Sequence, residues 1–126
     1  MLIWVQQFVN TFKYIKMNAN KKGKRFELKV AKYLAEKLQA NIRRTPNSGG
    51  LSMKGDILCI DDQSILSEFN WECKNQEKLN IWSSLQQAED NAGEHIPLVV
   101  FKRNRSKTYV AFELDKLMEI LNEKNS

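Results

Sequence analysis

The chain has 126 residues, of which 42% are hydrophobic and 28% are charged. These values are typical of a soluble globular protein, and the length suits one domain with its own core and excludes two. Two cysteines and a single histidine, His95, exclude a Cys/His zinc site. Because Cys59 and Cys73 lie in apolar, strand-like runs, we expect both to be reduced core residues of a cytosolic protein.

Positive charge is concentrated in the first half of the chain. Residues 13–54 hold twelve Lys and Arg against two acids, a net charge of +10, whereas residues 55–126 carry a net charge of −5. This segregation suits a surface that follows a phosphate backbone, with the acidic residues kept for another role. A solvated, lysine-rich helix face is the alternative interpretation.

The first segment, residues 1–20, is predicted to be an extra amphipathic helix. Its apolar residues recur at helical spacing: Val5, Phe8, Val9, Phe12 and Ile15. Polar residues interrupt the run well short of the ~18 apolar residues that a membrane span needs, and no signal-peptide pattern precedes them. We expect this helix to pack on the domain or on a partner subunit. A helix on a membrane surface is the alternative, and a translation start at Met17 would make the first sixteen residues dispensable.

A second amphipathic helix is predicted over residues 24–40, with Glu27 on the border of its apolar face. That face contains Phe26, Val30, Ala31, Leu34 and Leu38. The run NIRRT then has the length of a short strand, and PNSGG begins a loop that extends to about Lys54. The runs DILCI and ILSEFNWECK, separated by the polar DDQS, predict a hairpin.

The second half predicts a helix, two strands and a last helix. Asn80 can cap a helix that ends at Gly93. PLVVFK and TYVAF are predicted to pair across the basic turn RNRSK, before the helix LDKLMEIL. The order α-βββ-α-ββ-α predicts a single α/β domain over residues 21–121, in which helices flank a mixed central sheet, with a tail at 122–126. Both Trp71 and Trp82 are expected in the core, and His95 in a turn without a catalytic role.

Glu72 and Lys74 carry the strongest chemical signal. Side chains alternate along a strand, so these two share one face while Trp71 and Cys73 point to the other. A hairpin through DDQS could place Asp56 beside Glu72, and two close carboxylates repel unless a cation such as Mg²⁺ or Mn²⁺ lies between them. A lysine beside that cation could orient or deprotonate a water, or neutralise a phosphate. An ordinary ion pair on a solvated sheet face is the alternative.

The pattern of an acid and a lysine two residues apart occurs twice, as ELK at 27–29 and as ECK at 72–74. Residues two apart on a helix differ by about 200° and face away from each other, whereas on a strand they are aligned. Only the second copy is therefore predicted to form a site.

Four motifs in order, FELKVAKYL, KGDILCI, NWECK and SLQQAE, resemble the PD-(D/E)xK nuclease superfamily. Within it they resemble the archaeal-type Holliday junction resolvases and related small phage endonucleases, over residues 21–120. The one departure is a Gly-Asp pair in place of the nominal Pro-Asp. The resemblance implies a restriction-endonuclease-like fold and Mg²⁺-dependent cleavage of DNA, in which Mn²⁺ may substitute. It also implies a branched DNA substrate, a homodimer, and a place in the cytoplasm of a bacterium or phage-infected host.

The resemblance also implies roles for particular residues. Asp56 and Glu72 would bind the metal with the main-chain carbonyl of Cys73, and Glu27 would contribute directly or through water. Lys74 would position or activate the water, and Gln86 would support the lysine or the scissile phosphate. Arg44 and Ser48 match a loop that approaches the DNA backbone. With them, the expected DNA-binding residues are Lys24, Arg43, Arg44, Ser48 and Lys54.

Several alternatives stay open at this point. Glu27 could pair with Lys24, three residues before it, and Gln86 could be a solvated helix residue. The turn at 102–107 could contact phosphates or could be an exposed basic hairpin. The favoured function is a Mg²⁺-dependent endonuclease for branched DNA. The alternatives are a restriction- or repair-type nuclease of the same fold, or a DNA-binding module without catalysis.

Overall fold

The computed structural model describes residues 21–45, 56–59 and 65–125. Three helices and five strands lie in this part of the chain. In chain order they are α1 (residues 21–38), β1 (Ile42–Arg44), β2 (Ile57–Cys59), β3 (Phe69–Asn75), α2 (Ile81–Ala92), β4 (Ile96–Lys102), β5 (Tyr109–Ala111) and α3 (Leu114–Asn125). The predicted first helix at 1–20 lies outside the described residues.

The strands form one sheet in the order β1-β2-β3-β4-β5. Only β3 and β4 are parallel, and they pair from Phe69 with Ile96 to Asn75 with Lys102; the other neighbours are antiparallel. Helix α2 makes the crossover between the parallel strands and contacts both. The predicted α/β class and mixed sheet are therefore confirmed.

Helix α1 covers one face of the sheet. Its buried side chains Phe26, Val30 and Ala31 pack with Ile57, Trp71, Cys73, Leu98 and Val100 of the strands. The predicted burial of Leu38 is wrong, because that side chain is 54% exposed. The helix ends there, and Gln39 has a positive φ of 51° that turns the chain away toward β1.

Helix α2 lies on β3 and β4, and its ends are those predicted. Asn80 accepts a hydrogen bond from Ser83 N at 3.1 Å, and Gly93 follows the last turn with a φ of 57°. The face turned to the sheet carries small side chains, Ser84, Ala88 and Ala92, which allow close approach. The predicted burial of Trp82 is wrong: two residues from Ser84 it lies about 200° around the helix, and it is 78% exposed.

Two predicted boundaries change. A 3₁₀ helix occupies Ile65–Glu68, where the sequence predicted strand, and β3 begins at Phe69. The reason is the length of β2: with Ile57 paired to Trp71, its three residues offer no partner before Phe69. At the other end α3 continues to Asn125, into the predicted tail. No helix in the described part of the chain is long and apolar enough to cross a membrane.

Candidate active site

Asp56 is fixed where β1, β2 and β3 meet. Its backbone N–H donates to Trp71 O at 2.7 Å, and its carbonyl accepts from Thr45 N at 2.9 Å. Its side chain then turns to β3, where Oδ2 accepts the backbone N–H of Cys73 at 2.6 Å. A short bond from a main-chain donor holds one carboxylate oxygen still and leaves lone pairs of the group available.

Glu72 is the second carboxylate, and it is only 4% exposed. It lies on the α2 side of β3, opposite the buried Trp71 and Cys73. Asn91 of α2 donates from Nδ2 to Glu72 Oε1 at 3.3 Å. The Glu72 and Asp56 carboxyl groups are close enough to hydrogen-bond to each other. The structure thus brings together the two acids that the sequence paired.

Burial of this pair makes its negative charge costly. Burial and the charge of Asp56 raise the pKa of Glu72 from 4.5 to about 7, against the opposing effects of Asn91 and Lys74. Burial also raises the pKa of Asp56, although the Cys73 N–H and the Lys74 charge oppose the rise. The pair therefore keeps a proton to a higher pH than two exposed carboxyl groups would. A cation between the carboxyls would relieve the same cost.

The donor chemistry of the pair fits a hard divalent cation. Two carboxylates supply oxygen ligands, and Mg²⁺ commonly takes only one or two from the protein and keeps several waters. The Cys73 carbonyl points to the same side of β3 as its N–H, toward Asp56, and can add a third oxygen. Among the described residues, no three His, Cys, Asp or Glu side chains come together as a metal-binding group. Within the described part of the chain, a metal site here would draw on the two acids, the main chain and water.

Glu27 does not join the two acids. Its Oε2 accepts from Arg44 Nε at 2.5 Å, with the two side chains 16% and 19% exposed. The pairing follows from the register: Arg44 lies opposite Ile57, whose side chain faces α1, so the Arg44 side chain also points to α1. Burial raises the pKa of Glu27, and the Asp56 charge adds to this while Arg44 opposes it. Glu27 thus lies within electrostatic reach of the site but is held by Arg44, not by Lys24.

The other predicted residues occupy varied positions. Lys74 is half-buried beside the pair. Gln86 is exposed and donates from Nε2 to Asp90 Oδ1 at 3.0 Å, which directs it along its own helix and not toward the two acids. Lys24 and Arg43 are exposed, whereas Arg44 is half-buried and pairs with Glu27. Ser48 and Lys54 lie outside the described residues.

Asn91 is the contributor that the sequence reasoning missed. The motif order predicted a role for the glutamine at 86, in the pair at 86–87. Helical geometry offers another signal, since residues 84, 88, 91 and 92 recur at spacings of three and four and share one face. An amide on the small-residue face of a helix that covers a strand with a buried acid is a candidate partner for that acid.

A comparison with protein-family models gives one match. Residues 18–126 match the family described as "Phage putative PDDEXK endonuclease". The chain belongs to this family. The phage PD-(D/E)xK endonuclease match spans α1 to α3, including all the residues of the site above. Neither the curated proteins nor the solved structures that were searched gave a match.

Proposed function

We propose that the chain is a divalent-metal-dependent DNA endonuclease that hydrolyses phosphodiester bonds at the Asp56 and Glu72 pair. The observation that carries the proposal is the contact between these two carboxyl groups, since both are costly to ionise where they are. A protein that only binds DNA gains nothing from acids turned toward phosphates. Membership of a phage endonuclease family supports the same conclusion.

Each residue of the site has a distinct task. Asp56, Glu72 and the Cys73 carbonyl would hold Mg²⁺, or Mn²⁺ in its place, which when bound polarises the phosphate and acidifies water. The Cys73 N–H orients Asp56, and Asn91 orients Glu72. Glu72 would hold the cation in its ionised form. Lys74, whose charge acts on both acids, positions the attacking water or neutralises charge that develops on the phosphate.

For the substrate we propose branched DNA, cut by a homodimer with two active sites. The motif order resembles the junction resolvases, and a two-fold junction needs two symmetric cuts, which a symmetric dimer supplies. The α3 helix supports the dimer. Its apolar residues recur at positions of one face and are exposed: Leu114, Leu117, Met118 and Leu121.

The test uses the full chain with Mg²⁺ on an end-labelled four-way junction, with linear duplex and single-strand controls. We expect paired, symmetric nicks in the junction. Glu72→Gln and Asp56→Asn should abolish cleavage, because each removes a charged ligand, while binding of the junction is kept or tightened as negative charge is lost. Undiminished cleavage by Asp56→Asn would remove that residue from the site. Cleavage of the linear controls would indicate a general nuclease, and no cleavage anywhere would favour a binding module.

A further inference from the structure

A concave basic surface lies at the end of the sheet that carries the site. Three of its cations come from residues 22–29 of α1 and one from the end of β4, and two asparagines complete the lining. The members of this basic groove are Lys22, Arg25, Lys29, Lys102, Asn75 and Asn104. Because α1, β3, β4 and the β4–β5 turn all contribute, the groove is a product of the fold and not of one helix face.

Most of the positive charge of the basic groove has no acidic partner among the described residues. Lys22 has a weak partner in Glu77 at 3.9 Å, and Glu77 already accepts the Asn104 N–H at 2.7 Å. No described acidic side chain lies within ion-pair distance of Arg25, Lys29 or Lys102. Like charges gathered in one concavity repel each other and attract a polyanion, so the groove favours an anionic occupant.

The composition and length of the groove favour a polymeric ligand over a small molecule. Small-molecule sites are mostly apolar, whereas the apolar contributor here is Phe26, which is 5% exposed. Lys22, Arg25 and Lys29 are spaced i, i+3, i+7 and so form a stripe about 10 Å long on α1. Phosphates of one DNA strand advance about 3.4 Å along the helix axis per nucleotide, so a stripe of this length lying parallel to that axis would span about three of them.

The basic groove lies at the same end of β3 as Lys74 of the candidate active site. Asn75 directly follows Lys74 on β3, and successive side chains of a strand point to opposite faces. The groove therefore opens on the α1 side of the same strand end where Lys74 emerges on the α2 side. Lys102, the register partner of Asn75, carries the positive surface onto the β4–β5 turn. A DNA strand with a phosphate at Lys74 would pass over the end of β3 into the groove.

We propose that the basic groove binds the phosphodiester backbone of DNA that flanks the scissile phosphate. The position relative to the scissile phosphate rests on the proposed function, but the binding of backbone does not. This assigns DNA contacts to Lys22, Arg25, Lys29 and Lys102. Of these, only Lys102, in the turn at 102–107, was a candidate for phosphate contact from the sequence. It places the flanking DNA across residues 22–29 of α1 and the end of β4.

The test is duplex binding by an Arg25→Ala/Lys29→Ala variant of the full chain, made in the Glu72→Gln background and measured by fluorescence anisotropy in EDTA. The matched control is Lys37→Ala/Lys116→Ala, which loses the same charge. Lys37 is on α1 but about 18 Å along the helix from Arg25, and Lys116 is on α3. We expect the groove variant to bind at least about tenfold more weakly near 0.1 M salt and to lose about 1.8 units of the log–log salt slope.

The outcomes separate this proposal from the nuclease proposal. The control should keep the slope of the parent, and circular dichroism should show that both variants are folded. An unchanged salt slope in the groove variant would contradict the groove proposal. An equal loss of slope in the control would also contradict it, because binding would then depend on net charge alone. A loss of salt slope confined to the groove variant would support the groove proposal, even if the wild-type protein cleaved no DNA with Mg²⁺. Absence of cleavage would contradict only the nuclease proposal.

Discussion

Glu72 illustrates how a buried carboxyl group can cost stability. Its side chain is almost fully buried, touches another carboxyl group and has a pKa of about 7 instead of 4.5. The folded protein therefore binds the proton of Glu72 more tightly than the unfolded chain does. This favours the folded state fully below about pH 4.5, and the advantage is lost as the pH rises through about 7. The Asp56 pKa is also raised, so its effect has the same sign.

Glu72→Gln should consequently stabilise the metal-free protein at about pH 8 and have little effect near pH 4.5. The amide has no charge to desolvate and can donate to Asp56, while Asn91 can still donate to its oxygen. Urea unfolding in EDTA at several pH values would measure this. Adding Mg²⁺ at pH 8 should stabilise the wild type by mass action but not the variant.

Glu89→Gln is the matched control, since Glu89 is exposed on α2. It should leave the pH dependence of unfolding as in the wild type. Equal stability of wild type and Glu72→Gln at pH 8 would mean that the buried charge is compensated in the folded protein.

At the scale of elements, α2 is the helix whose orientation determines the site. Ser84, Ala88 and Ala92 set which face meets the sheet, and this turns Asn91 toward Glu72 and leaves Gln86 with Asp90. The second carboxylate of the site therefore depends on a helix as well as on its own strand.

Asn91→Ala should weaken Mn²⁺ binding by about tenfold or more, as is usual when a group that orients a metal ligand is lost. The Glu72 carboxylate would lose a donor that holds it in place and that favours its charged form. Titration of Mn²⁺, followed by its electron paramagnetic resonance signal, measures the affinity without any cleavage.

Gln86→Ala is the control in the same helix and should leave the affinity for Mn²⁺ unchanged. Equal loss of affinity in both variants would assign the effect to α2 as a whole and not to Asn91. Loss of Mn²⁺ affinity in Gln86→Ala alone would support a role for Gln86, as the motif order predicted.

The sequence predicts local features of these elements well and their mutual orientation less well. Apolar periodicity identified Phe26, Val30 and Ala31 as core, and the caps at Asn80 and Gly93 were predictable because they depend on a few adjacent residues. The exposure of Trp82 was not, since small side chains and not large ones pack α2 on the sheet. The Arg44 to Glu27 pair depends on the β1–β2 register, to which a sequence pattern gives no access.

At the scale of the whole molecule, α3 has an apolar face that is partly exposed among the described residues. Leu114, Leu117, Met118 and Leu121 follow helical spacing, and Val110 of β5 is exposed as well. This face is where we propose that two copies join symmetrically in the dimer.

Leu117→Glu should therefore convert a dimer into a monomer, because it places a charge in the centre of the apolar face. Light scattering coupled to size-exclusion chromatography, over a range of protein concentrations, would report the mass. Leu28→Glu is the control, since Leu28 is an exposed apolar residue on α1. A monomeric wild type, or monomers formed equally by both variants, would contradict an α3 interface.

Cys73 lies between Glu72 and Lys74, with its thiol packed under α1, and burial raises the pKa of that thiol. A protonated, covered thiol does not react with disulfide reagents until the cover opens. In a Cys59→Ser background, the rate at which the Cys73 thiol is labelled would therefore report how often α1 separates from β3, the strand that carries Glu72 and Lys74. The reporter of this opening is thus the residue adjacent to both Glu72 and Lys74.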